Sequence, residues 1–413
     1  MEYPRLRAIR IVPVQHRGQR MFLLQDPELP ADRALTVAAP ALAVVQMMNG
    51  RNSLRDIQAA YFRRFGQMLF SDDLDGLIGR LDEFLLLDSD RFREHRRRLQ
   101  EEFRALPVRA PVSAGTSYPA DADALREYLR GIFLADGRPG LPERTRAGAD
   151  LVGLIAPHID TERGRAAYAA GYKELAERAD AETYVLLGTN HQAGEAMYVA
   201  TGKPFATPLG ETAVDAELLA ALEKRVSTDL RAEELVHRAE HSLEFQVLFL
   251  QFALAGRPHR ILPILCNSPA AAARDGADPV DAPALVDFAR ALREAVAATG
   301  RRVVYVAGAD LAHVGRQFGD PYPIDARVLR DCEDADRAML APVLERDPAA
   351  FSRSIVAERD RRRICGWGPI DTMLRCVDAD SARLLHYGQW ADNGGDGAVT
   401  FASIGFYRGG EEG

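Results

Sequence analysis

From residue 151 onward, short runs of consecutive apolar residues alternate with longer amphipathic stretches. "LVGLIAP" (151–157), "TYVLLGT" (183–189), "RILPILC" (260–266) and "RRVVYVAG" (301–308) are the apolar runs. Each is strand-sized, and none alternates polar with apolar, as a strand with one face in water does. Between them lie helical patterns such as "RGRAAYAAGYKELAERA" (163–179) and "PALVDFARALREAVAATG" (283–300). The order predicts an α/β domain: a mostly parallel central sheet covered by helices on both faces. Two late runs, "ARLLHYGQ" and "AVTFASIGFY", are expected to finish one edge.

The first 90 residues follow another pattern. "LRAIRIVPVQ" and "RMFLLQDP" flank "HRGQ" and predict a β-hairpin. Three helices are expected next: "PALAVVQMMN", then "NSLRDIQAAYFRRFG" with Asn52 or Ser53 as cap and Gly66 as stop, then "SDDLDGLIGRLDEFLLLDSD". This is a small α+β winged-helix-like unit over 1–90. Residues 91–111 predict a charged helical linker, and 112–413 the large domain, with a turn-rich surface loop at 134–150.

A chain of 413 residues accommodates two domains, and 47% hydrophobic with 27% charged residues suits a globular core. The net charge of −8 argues against nucleic acid as a partner. The N-terminus lacks the apolar stretch of a signal peptide and no run reaches membrane-spanning length, so a cytoplasmic protein without a membrane partner is expected. The four cysteines, Cys266, Cys332, Cys365 and Cys376, form no CxxC pair. GxSxG, GxxxxGK[ST], HExxH and a GxGxxG following a strand are all missing.

Polar chemistry collects where apolar strands end. "LVGLIAPHID" ends in His158 and Asp160, "TYVLLGTNHQ" in Asn190 and His191, and "RRVVYVAGADLAHVG" in Asp310 and His313. In an open parallel sheet the ligand crevice lies beyond the carboxyl ends of the strands, so these groups are expected to face one crevice. The helix "HRAEHSLEFQVLFLQFAL" is apolar almost all round. His241 and Glu244, three apart on it, either pair with each other or line the same crevice. Cys365 sits in "RRRICGWGPI", where Gly366 and Gly368 allow close backbone approach and Arg361, Arg362 and Arg363 are expected to lower the thiol pKa. Imidazoles with a thiolate suit iron, copper or zinc.

"SAGTSYPAD", "LIAPHID", "VLLGTNHQ", "AEHSLEFQ", "GADLAHVG", "ICGWGPI" and "HYGQWADNGGDGAVTFASIGFY" stand in the order seen in the Memo family, whose prokaryotic members are called AmmeMemoRadiSam system protein B. The resemblance covers about residues 112–407. It implies a fold similar to class III extradiol dioxygenases and a metal held by His158, His191 and Cys365, with Fe(II) first and copper or zinc as alternatives. It further implies that His313, Asp310 and His241 act as acid/base groups, with Asp160, Asn190, Glu244 and Trp367 lining the pocket. Asp160 departs from the Ala-Gly frequent in the family, Trp367 and Gly368 from the Arg-His of animal relatives, and Asn190 from a common His-His pair.

Residues 1–90 resemble PqqD-like domains, which bind leader peptides or dock beside radical-SAM enzymes; a generic docking or purely structural unit is the other reading. The first functional expectation is a mononuclear iron or copper redox protein, dioxygenase-like, with a small-molecule substrate. Its rivals are a non-enzymatic metal-binding adaptor of a radical-SAM protein and a zinc hydrolase using the same ligands.

Overall fold

The structure, a computed structural model, describes residues 1–16, 18–26, 34–143, 149–192, 194–273 and 278–409. The chain divides into two compact units, Met1–Leu106 and Pro107–Gly413. Parts of the expected "HRGQ" turn and of the 134–150 loop lie outside the described residues.

In the first unit, β1 (Arg10–His16), β2 (Gln19–Gln25) and β3 (Leu35–Ala38) form an antiparallel sheet in the order β1-β2-β3. The third strand was not anticipated, since four residues give too short a pattern to read. Helices α1 (Ala39–Val45), α2 (Leu54–Phe65) and α3 (Ser71–Glu83) follow. Ser53 caps α2 through a reciprocal box with Asp56, and Gly66 ends it at φ 68°, a left-handed conformation that glycine adopts at little cost. Leu24, Val45, Ile57, Leu81 and Leu86 close a small core. The charged helix α4 (Asp90–Ala105) belongs to this unit, and the Arg7 guanidinium stacks 3.3 Å from the centre of its Phe92 ring.

The second unit runs α5 (Ala122–Leu134), β4 (Asp150–Ala156), α6 (Arg165–Arg178), β5 (Thr183–Thr189), β6 (Tyr198–Ala200), β7 (Phe205–Thr207), β8 (Gly210–Thr212), α7 (Ala216–Glu223), α8 (Ser242–Ala253) and β9 (Arg260–Cys266). It continues with α9 (Ala270–Ala273), α10 (Pro283–Thr299), β10 (Val303–Gly308), β11 (Asp310–Val314), α11 (Ala326–Leu344), α12 (Pro348–Ala357), α13 (Trp367–Cys376), β12 (Ser381–Ala391) and β13 (Ala398–Arg408). The main sheet has the order β11-β13-β4-β10-β5-β9-β6, with β12 also paired to β13. Its centre, β4-β10-β5-β9, is parallel. These four strands are the four apolar runs, and separate clusters of buried side chains cover the sheet's faces.

Strand β13 corrects one expectation. It pairs with β4, β11 and β12 and is buried over its first ten residues, so it lies inside the sheet rather than at its edge. Among the described residues no helix is long and apolar enough to cross a membrane.

Candidate metal centre

Strands β4, β10 and β5 are adjacent and parallel, so their carboxyl ends open on one side of the sheet. His158 follows β4, His191 follows β5, and β11 begins at Asp310 directly after β10. Cys365 arrives from elsewhere, just before α13. Thr189 Oγ1 donates to its carbonyl (3.0 Å), and Gly366 N donates to Asp310 O (3.0 Å). A Cβ on Gly366 would collide with that oxygen and approach Ala309 Cβ at 2.7 Å, so glycine is what lets the cysteine loop lie against β11. Pro369 falls in the first turn of α13, where its missing N–H has no intrahelical partner to lose.

The side chains converge. One ligating atom each from His158, His191 and Cys365 lie within 4.8 Å of one another. Cys365 Sγ is 3.3 Å from His158 Nε2, and the His158 and His191 ring centres are 4.9 Å apart at 90°. His158 is buried, Cys365 half-buried and His191 open to solvent, so the centre can be reached from outside.

Each imidazole is held by its other nitrogen. His158 Nδ1 donates to Gly308 O (2.8 Å); because a carbonyl only accepts, the proton sits on Nδ1 and the Nε2 lone pair faces Cys365. His191 Nδ1 lies 3.0 Å from Glu240 Oε1, and the same carboxylate accepts from the backbone amides of His191, His241 and Ser242 (2.8–2.9 Å). Burial opposes ionisation of Glu240, yet His191, His241 and the amides outweigh it and hold its pKa well below the usual carboxylate range. Asp310 Oδ1 accepts from the amides of His158 (2.9 Å) and Ile159 (3.1 Å).

Burial dominates the remaining groups. It lowers His158 to about 3 and His241 to about 4, and it lowers His313. Burial raises Asp310, so the 3.6 Å approach of its Oδ2 to neutral His158 is not an ion pair. The Cys365 thiol is raised well above its ordinary value, first by burial and then by Asp310. This reverses the expectation from the arginine run. Arg362 is buried against Asp336 and Glu358, Arg363 pairs with Asp320, and Arg361 reaches Glu358. Their charges are spent there, and without a cation the cysteine is a neutral thiol. A neutral His158 imidazole, the His191 imidazole and a thiol around one point form a donor set that fits a borderline or soft metal, whose binding expels the thiol proton.

The other predicted residues divide. Asp310, His313 and Cys365 form a second close trio of ligating atoms, and the His241 ring stacks on His191 at 5.1 Å and 15°. Asp160 and His241 face a cleft of about 390 Å³. Asn190 stays out of the cluster: its Oδ1 accepts from Gln192 N, and its Nδ2 is buried without a partner among the described residues. Glu244 neither pairs with His241 nor lines the crevice. It points the other way, binding the Arg109 guanidinium, the Val112 and Ser113 amides (2.9 Å each) and the Tyr118 hydroxyl. Trp367 is likewise outside the pocket, 2% exposed in the core with Nε1 donating to Ser352 Oγ at 2.7 Å. Glu240 is the residue that sequence reasoning passed over, although it stands beside His241 in "AEHSLEFQ".

The model of Memo-like proteins matches residues 109–405, most of the chain and every member of this cluster. The chain belongs to the Memo-like family. Among its Memo-like relatives, a Methanopyrus kandleri protein is 31% identical over 312 residues, covering 73% of this chain and 99% of its own. One from Thermococcus kodakarensis is 31% identical over 311 residues, covering 73% and 100%. A third, from Aquifex aeolicus, is 25% identical over 402 residues, covering 97% and 99%. All three are described as MEMO1 family proteins. The Aquifex match is too long to fall within the second unit alone, so that Memo-like protein also carries a counterpart of most of the first.

Proposed function

We propose that this Memo-like protein is a mononuclear non-haem metal redox protein, with iron first and copper second as the ion at these donors, acting on a small molecule; zinc, which has no redox chemistry, would serve the hydrolase reading at the same donors. The observation that supports this reading is the convergence of His158 Nε2, a His191 nitrogen and Cys365 Sγ within 4.8 Å of one another. Three protein donors leave positions free for a substrate. A redox-active ion held there supplies Lewis acidity and one-electron exchange.

The chain's own residues do the rest. Gly308 O and Glu240 fix which nitrogen of each imidazole is free. His313, kept neutral by burial, accepts a proton, and Asp310, biased by burial toward its protonated form, supplies one. Their ligating atoms lie within 4.8 Å of each other and of the thiol, so proton transfer and metal chemistry share one space. Cobalt(II) substitution under anaerobic conditions tests the assignment. The native protein is expected to bind about one equivalent and show a thiolate charge-transfer band. Cys365→Ser is expected to lose that band and most of its affinity; full metal content with an unchanged spectrum refutes the ligand set.

A further inference from the structure

The cleft beside the histidines is not neutral in character. Val112 and Phe245 give it apolar walls, Ser113 and Ser117 line it with polar groups, and Asp160 and His241 also face it. The His241 ring lies 5.7 Å from that of His158 and 5.1 Å from that of His191, so the cleft adjoins the ligand cluster. Asp160 sits in a turn, its Oδ1 accepting from Glu162 N (3.0 Å) and its carbonyl from Arg163 N and Gly164 N. Among the described residues none forms an ion pair with it. The nearest arginines in sequence are engaged elsewhere: Arg163 stacks 3.8 Å over Trp390, and Arg165 pairs with Glu162. A carboxylate on the wall of a partly apolar cleft, with no cation of the protein's own, is a recognition element for a cation brought from outside.

We propose that this cleft selects small molecules bearing an ammonium or guanidinium group, with Asp160 as the specificity-determining residue and the apolar walls taking the adjoining hydrocarbon. The proposal rests on the metal-centre reading in one respect only: the other end of the molecule faces the His158/His191/Cys365 donors. Charge selection itself belongs to the cleft.

Three catechols that differ in side-chain charge separate the two ideas: dopamine (cationic), 4-ethylcatechol (neutral) and 3,4-dihydroxyphenylacetate (anionic). Their dissociation constants are measured by anaerobic calorimetry on the full chain, zinc-loaded and metal-free. Dopamine is expected to bind about fivefold tighter than 4-ethylcatechol and the acid weakest, since a partly exposed ion pair contributes up to ~1 kcal/mol. Asp160→Asn keeps the oxygen that caps the turn and removes the charge, so it is expected to abolish the ranking while leaving 4-ethylcatechol unchanged. Failure of the metal centre appears as affinities indifferent to zinc with the ranking intact. The cleft proposal is overturned if dopamine shows no advantage over 4-ethylcatechol, if the advantage survives Asp160→Asn, or if dopamine does not bind at all.

Discussion

At the scale of single residues, one of the two imidazoles proposed as ligands, His191, depends on a carboxylate that is not itself one of the proposed ligands. Glu240 accepts from His191 Nδ1 and from three backbone amides, so it sets both the tautomer of His191 and the path of the chain into α8. Glu240→Gln keeps the shape but lacks the charge, and its amide adds donors where donors already crowd. It is expected to weaken cobalt or zinc binding about 10–100-fold with little change in the far-ultraviolet circular dichroism; an unaltered metal affinity refutes this role. Strand ends and a glycine-flanked cysteine marked His158, His191 and Cys365 as candidates beside Asp160, Asn190, Asp310 and His313, and the family resemblance singled the three out as a ligand set. Sequence reading passed over Glu240 because the carboxylate's importance comes from where three amides point, and amides have no signature in the residue pattern.

At the scale of elements, the N-terminus of α8 serves two sides at once. His241, just before the helix, faces the histidine cluster, whereas Glu244, in its first turn, faces the segment from Arg109 to Tyr118. The three-residue spacing places both in the same region of the helix surface, yet the centre and that segment divide it between them. Glu244 and Arg109 are both fully buried, and Val112 and Ser113, held by Glu244, form part of the Asp160 cleft. Glu244→Ala would strand a buried guanidinium and two amides. It is expected to cost about 3–5 kcal/mol in denaturant unfolding; a loss below ~1 kcal/mol means that the clamp matters little. The four parallel strands were legible because burial on both faces leaves unbroken apolar runs. The three- to five-residue strands β3, β6, β7, β8 and β11 were not, because so few residues cannot establish a period.

At the scale of the whole molecule, the second unit keeps several histidines uncharged inside it, and this fixes how it responds to acid. Burial lowers His237 to about 3; its Nε2 bonds to Val199 O at 3.0 Å, and Arg109 donates to its carbonyl. An unfolded chain protonates the same ring near 6.5. As pH falls below that value the unfolded state takes up a proton that the folded state refuses, so the contribution is complete above about 6.5 and drains away toward 3. For one such histidine the loss at pH 5 is about 2 kcal/mol, and His158 and His241 act in the same direction. Both tryptophans, Trp367 and Trp390, lie in Pro107–Gly413, so their fluorescence reports that unit without interference from the first. Urea titrations of metal-free protein at pH 7.5 and 5.0, followed by that signal, are expected to show a clear loss on acidification. His237→Gln, which retains a side-chain N–H for Val199, is expected to lose about 2 kcal/mol less across the same interval. Equal losses in the two proteins would mean that the proton cost resides elsewhere, since nothing in the Gln side chain titrates over this range.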